Sequence, residues 1–234
     1  MNKILLILII SISLTSYGKS INIEQLETRN GIDYEISEET PYTGTAIRYY
    51  ENGQIEFKSN YKNGLINGEW VFYYENGQIK LKGTCKDGVL NEQRNYYATG
   101  KIRDKKNYKD GELNEWIFYY ENGKIKRKWN YKDGGKNRES ISYYTTGKIK
   151  SKWNYKDEEI NGESISYYEN GKIKSKENYK DGKKNGESIS YYETGKIESK
   201  GNYKGGEKNG EYILYYRTGK IKSKGNYKDG KRMN

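Results

Sequence analysis

Lys124, Lys126 and Lys128 recur as Lys148, Lys150 and Lys152, and again as Lys172, Lys174 and Lys176, each triplet interrupted by single residues. Alternation of period two sets the three side chains of a triplet on one face of a strand. The chemistry open to such a stripe is the capture of polyanions such as lipid headgroups or an acidic glycan; nucleic acid is not the expected partner. A lysine stripe equally keeps a flat sheet soluble. Acidic residues spread through every linker weaken its field, so solvation is the simpler reading despite a net charge of +11.

Aromatic side chains fall at positions expected to share that face: Trp70, Phe72 and Tyr74 in one segment, Trp116, Phe118 and Tyr120 in another. Later segments carry serines there, for example Ser164 and Ser166. Large exposed rings are typical of binding surfaces, whereas curvature or a covering cap would make the same rings core. The candidate interaction surface is therefore Trp70, Phe72, Tyr74, Trp116, Phe118, Tyr120, Lys124, Lys126 and Lys128. The expected occupant is another protein, with an anionic lipid or glycan as the alternative.

Catalysis is not expected. The chain has no histidine, so no Ser-His or Cys-His pair can form, and no glycine-rich phosphate loop opens a helix. Its carboxylates sit in turns and linkers, with no apolar pocket to raise a pKa. Asp181, Asn185 and Glu187 lack the spacing of an EF-hand calcium loop and read as turn chemistry. Cys85 is the only cysteine, which excludes an intramolecular disulfide. No catalytic, cofactor or metal-binding residue is expected.

The elements that must position these side chains follow from a repeat. Leu, Ile, Val and Phe number only 40 of 234 residues, a fraction usual for disordered chains, but 27 tyrosines supply ring surface that can be buried. Tyrosine doublets begin at 49, 73, 96, 119, 143, 167, 191 and 215, giving eight copies with a period of 23 or 24. Each copy contains an aromatic and β-branched run such as Glu69 to Tyr74, a short turn, and an alternating run such as Lys172 to Lys176. The turn reads Glu-Asn-Gly in four copies and ends in Thr-Gly in the others. Threonine tolerates positive φ poorly, which favours a three-residue loop with only glycine in the left-handed region. In a regular hairpin, Tyr167 then faces Ile173. One face carries Ile165, Tyr167, Ile173, Ser175 and Tyr179; the other carries Ser164, Ser166, Tyr168, Lys172, Lys174 and Lys176. Segments such as Tyr179 to Glu187, with Asp-Gly and Asn-Gly pairs, read as linking loops. The expected fold is all-β, an extended antiparallel meander of eight hairpins (44–234) behind an N-terminal β cap (19–43) with a turn at Asn30-Gly31.

Residues 1–18 read as a secretory signal peptide. Lys3 is followed by an apolar run from Ile4 to Leu14, broken only by Ser11 and Ser13, then by Ser16-Tyr17-Gly18, with cleavage expected after Gly18 or Ser20. Tyr17 stands where a lipoprotein would carry its lipid-bearing cysteine. The expected location is the periplasm, cell surface or medium.

The blocks "NGEWVFYYENGQIKLKGTCKDG" (67–88) and "NGESISYYENGKIKSKENYKDG" (161–182), with "DYEISEETPYTG" before the first copy, resemble the bacterial variant of the MORN repeat. The resemblance extends over almost all of the chain after residue 18 and implies an all-β binding array. Some relatives are labelled antitoxin components, which implies an antitoxin-like binding role as a further alternative. Others are named after a MORN-containing phosphatidylinositol phosphate kinase, but nothing here resembles a kinase. The function expected is an exported, non-catalytic scaffold for protein–protein interaction in the cell envelope. Mass spectrometry of the native protein is expected to show loss of the first 18 to 20 residues; intact Met1 on a cytoplasmic protein would refute export.

Overall fold

The computed structural model describes residues 18–132 and 137–234, so the expected signal segment lies outside the described residues but for Gly18. Among the described residues the protein is one long sheet of 19 strands plus a separate two-stranded hairpin. Each copy contributes two antiparallel strands: Gly44–Tyr49 with Ile55–Lys62, Leu65–Tyr73 with Ile79–Lys86, and so on to Glu207–Tyr215 with Ile221–Lys228. Consecutive strands pair throughout, and each copy packs on its sequence neighbours. Among the described residues there is no α-helix, only a 3-10 turn at Ile23–Gln25.

Two kinds of turn alternate along the meander. Inside a copy, Tyr168 N–H donates to Lys172 O at 2.8 Å and Gly171 N–H donates to Tyr168 O at 2.9 Å, which closes a three-residue loop. Only its glycine has positive φ, 89° at Gly171, so Asn and Thr are both accommodated before it. Between copies, at the turns among the described residues, the chain reverses in two residues. Asp181 and Gly182 have φ of 49° and 74°, and Lys180 pairs with Lys183. That is a type I′ turn, which suits the twist of the strands it joins.

The Asn-Gly pairs that come just before a first-strand glutamate, such as Asn185-Gly186, are not turns. Lys183–Tyr191 is one continuous strand through Asn185-Gly186, and the expected linking loop is a strand, a tight turn and another strand. Tyr179 pairs with Lys184 while Glu177 pairs with Ser188, so the Asn-Gly segment is a bulge that holds two extra residues. Copies with Leu-Asn-Glu have a smaller bulge. There Cys85 pairs with Leu90 and Thr84 with Glu92, leaving one extra residue, which accounts for the shorter period.

A second bulge overturns the expected faces. Tyr167 does pair with Ile173, but Ser166 pairs with Ser175 and Ile165 with Lys176. The register shifts by one between Ser166 and Tyr167, and Lys174 is the extra residue. Beyond it, parity is reversed. Ser175 and Tyr179 therefore share the face of Ser164 and Ser166, and Lys176 joins Ile165. The same shift occurs in all eight copies.

The enclosed core is small and lies at the N-terminal end. Ser20–Asn22 adds a parallel strand to Gly44–Tyr49, and the hairpin Leu26–Arg29 with Ile32–Glu35 turns at Asn30-Gly31. Ile21, Tyr42, Ala46 and Tyr61 pack together, with Ile23, Leu26 and Ile66 against them. Burial, followed by the nearby Asp33 carboxylate, pushes the Tyr61 hydroxyl up to about 12.

The rest of the array depends on a tyrosine ladder. At six of the seven junctions between copies, the second tyrosine of a doublet donates its hydroxyl to the main-chain carbonyl of the first tyrosine in the next copy. This occurs from Tyr50 to Tyr73 (2.7 Å), Tyr74 to Tyr96 (3.0 Å), Tyr120 to Tyr143 (2.7 Å), Tyr144 to Tyr167 (2.7 Å), Tyr168 to Tyr191 (2.6 Å) and Tyr192 to Tyr215 (2.6 Å). Tyr168→Phe is expected to lower stability by about 1 kcal/mol in urea unfolding, the value of one such bond, and Tyr167→Phe to change it much less. Equal effects at both positions would remove the ladder's structural role.

Candidate interaction surface

The two faces of the sheet differ in chemistry. On one, aliphatic residues and lysines alternate from strand to strand. Val71 pairs with Lys58 and Lys82, Ile117 with Lys105 and Lys128, and Ile189 with Lys176 and Lys200. The lysine stems cover the aliphatic groups while their ammonium ends meet glutamates two residues further along. Lys82 pairs with Glu69 at 2.6 Å, Lys105 with Glu92 at 2.6 Å, Lys200 with Glu187 at 2.7 Å, and Lys128 with Glu115. Much of this face is self-neutralised.

The other face carries the aromatics. Its middle row obeys a size rule across the strands. Trp70 stands between Ser59 and Gly83, and a Cβ added to Gly83 would fall inside the Trp70 indole. Two copies on, Trp116 pairs with Trp129, and Ser140 then sits between Trp129 and Trp153, only 3% exposed. Tyr212 lies between Gly201 and Gly225. A large side chain on one strand is generally met by a small one on the next. The late serines thus do not show that Trp70 is dispensable: where the first strand has Ser140, the second has Trp153.

The candidate residues fall into distinct positions. Trp70, Phe72 and Tyr74 share the aromatic face, with Phe72 edge-on to Trp70 (81°, centroids 6.0 Å apart) and 4.4 Å from Phe57. Trp116, Phe118 and Tyr120 occupy the same face two copies away, with Trp116 4.5 Å from Phe118. Gln93 and Lys106 separate the two groups, so they are two clusters. Tyr74 and Tyr120 are ladder tyrosines. The lysine triplet is divided three ways. Lys124 Nζ donates to Thr146 O at 2.9 Å, Lys126 Nζ lies 5.8 Å from the centre of the Tyr120 ring, and Lys128 is on the opposite face with Glu115. Placing Lys128 beside Trp116 and Phe118 is therefore corrected by the bulge.

Sequence reasoning missed Trp129, Trp153 and Asp104. Trp129 lies 5.3 Å from Tyr155, with the Arg138 guanidinium 5.1 Å above its ring and Arg127 at 5.7 Å. Asp104 is 2% exposed and accepts from Trp116 Nε1 (3.1 Å), Asn95 Nδ2 (2.8 Å) and Arg103 Nε (2.9 Å). It fixes the indole's orientation and leaves the charge paired. The small residue that faces most of the large ones, as Ser140 faces both Trp129 and Trp153, was the signal that could have placed both tryptophans.

Such geometry defines an open β-repeat scaffold, with side-chain rows on both faces and no group of metal-ligating side chains among the described residues. The MORN repeat variant matches residues 42–63, 66–87, 90–110, 113–133, 139–157, 160–181, 184–204 and 208–229, and the chain belongs to that family. No curated protein sequence matches it. Among solved structures, a porin-like protein from Bacteroides uniformis ATCC 8492 aligns over 80% of this chain and 89% of its own, at 9% identity and a TM-score of 0.23. That superposition is too loose to extend any property of the porin-like protein to this one.

The size rule gives a direct test. Tyr212→Ser alone is expected to cost about 2 kcal/mol, since the ring is half-buried, and Gly201→Tyr alone to cost at least as much by overpacking, because a Cβ there would meet the Tyr212 ring. The double exchange sets one large side chain between small ones, as in the Ser140–Trp153 arrangement, and should recover stability in thermal unfolding. Additive losses would reject the rule.

Proposed function

We propose that the protein is an exported, non-catalytic scaffold that docks a protein partner on the aromatic cluster of its fourth and fifth copies. The observation that supports this is the composition of that cluster. Trp116, Phe118 and Trp129 lie half-buried side by side, with Arg127 and Arg138 against Trp129. Tryptophan, tyrosine and arginine dominate the energetic centres of protein interfaces, and their rings here are held in place by Asp104 and by neighbouring strands. Export rests on the N-terminal pattern of charge, apolar run and small residues.

A variant that spares the fold is written in the chain itself. Phe118 pairs with Arg127, and the equivalent pairs in the next copies are Ser142–Ser151 and Ser166–Ser175. Phe118→Ser with Arg127→Ser should therefore fold with little change in melting temperature. Protein retained from the cell envelope by the native chain, identified by mass spectrometry and then purified, is expected to bind the double variant at least tenfold more weakly, as loss of an interface centre of about 2 kcal/mol implies. Unchanged affinity would place docking elsewhere.

A further inference from the structure

A second row on the aromatic face, beside the three-residue turns, has a different chemistry. The residue extruded by the hairpin bulge is Lys126, Lys150 and Lys174 in three consecutive copies. All three are exposed, and none belongs to an ion pair. Each ammonium stands against a ladder tyrosine of its own copy: Lys126 at 5.8 Å from the Tyr120 ring centre, Lys150 at 5.7 Å from Tyr144, Lys174 at 5.8 Å from Tyr168. The hydroxyls of those tyrosines are committed to main-chain carbonyls, so the rings are fixed. Two residues along the strands lie hydroxyl pairs, Ser142 with Ser151 at 2.6 Å and Ser166 with Ser175 at 2.7 Å. Each pair keeps a free donor and free lone pairs, even though Trp153 Nε1 also donates to Ser151 Oγ at 3.0 Å. In the seventh copy Glu198 takes the lysine position and interrupts the row before Lys222 of the eighth.

We propose that Lys126, Lys150 and Lys174, with their three tyrosines and the two serine pairs beside Lys150 and Lys174, form a track for a linear acidic polysaccharide carrying one carboxylate per disaccharide. This site is additional to the docking cluster and does not depend on it. Spacing selects the ligand. A copy is two strands wide, about 9.6 Å, so the free cations recur at that interval along a line crossing the strands. An extended disaccharide of β-linked sugars has a similar length, which brings one carboxylate to each lysine. Between the charges, sugar C–H faces can rest on the fixed tyrosine rings and sugar hydroxyls can bond the serine pairs. A nucleic-acid strand, with a charge about every 3.4 Å, would leave most of its phosphates unmatched. A membrane surface presents a plane of charge and has no use for a single line of lysines flanked by hydroxyls.

The probe is a hyaluronan oligosaccharide, which has this charge spacing, titrated calorimetrically into the full chain. Lys126→Gln, Lys150→Gln and Lys174→Gln together should weaken binding roughly tenfold, the sum of three exposed ion pairs. Changing Lys128, Lys152 and Lys176 to Gln removes the same net charge from the opposite face and should leave affinity within about twofold. Glu198→Lys joins the row to Lys222, the bulge lysine of the eighth copy, and should tighten binding, a gain that an unfolded variant cannot mimic. Equal loss from both triple variants would reduce the effect to net charge and overturn the track. So would absence of hyaluronan binding, equal binding of poly-glutamate, or anionic vesicles that depend on the same three lysines.

Discussion

The tyrosine hydroxyl that reaches across to the next copy is the bond on which the array depends. A sheet of one layer has little interior, so adjacent hairpins must be held by their main-chain ladders and by whatever bridges them. Here the bridge is a side chain whose ring covers the sheet and whose tip satisfies a carbonyl just beyond the end of the pairing between copies. Phenylalanine could cover but could not bond. The doublet follows from this division of labour: its first tyrosine ends the strand on one face and offers the carbonyl, and its second projects to the other face and takes the next one.

That bond also constrains everything above it. Because the second tyrosine is tethered, its ring is a rigid plate at a fixed interval, and the bulged residue beside it is presented from the same point in each copy. The middle row is constrained in a different way, by volume. Strands are too close for two large side chains to sit opposite one another everywhere, so bulk generally passes between strands: Trp70 over Gly83, then Trp153 beside Ser140, then Tyr212 over Gly201. Variation between copies is therefore coordinated in pairs, and a residue's meaning depends on the strand beside it.

Much of the fold was legible because its signals are local. The tyrosine period gave the copy number, threonine in the turns gave the loop type, and Asn30-Gly31 gave the cap hairpin. The faces were not legible. In Lys172-Ile173-Lys174-Ser175-Lys176 a lysine stands at every second position, so a one-residue bulge leaves the written pattern intact while exchanging the faces beyond it. The consequence for the candidate surface was specific: Lys128 moved to the aliphatic face, and Trp129 and Trp153 moved to the aromatic one. The Asn-Gly pairs misled for a related reason, since positive φ at Gly186 serves a bulge as well as a turn.

Among the described residues, the buried hydrophobic side chains are Ile21, Tyr42, Ala46, Phe57, Tyr61 and Val71. Few apolar groups therefore pass into water when the chain unfolds, and polar exposure, which acts in the opposite sense, accompanies them. The heat-capacity increment of unfolding per residue is accordingly small, and the curve of free energy against temperature is a low, broad dome. A protein built this way tolerates cold well, because it draws little on the hydrophobic driving force that fades on cooling.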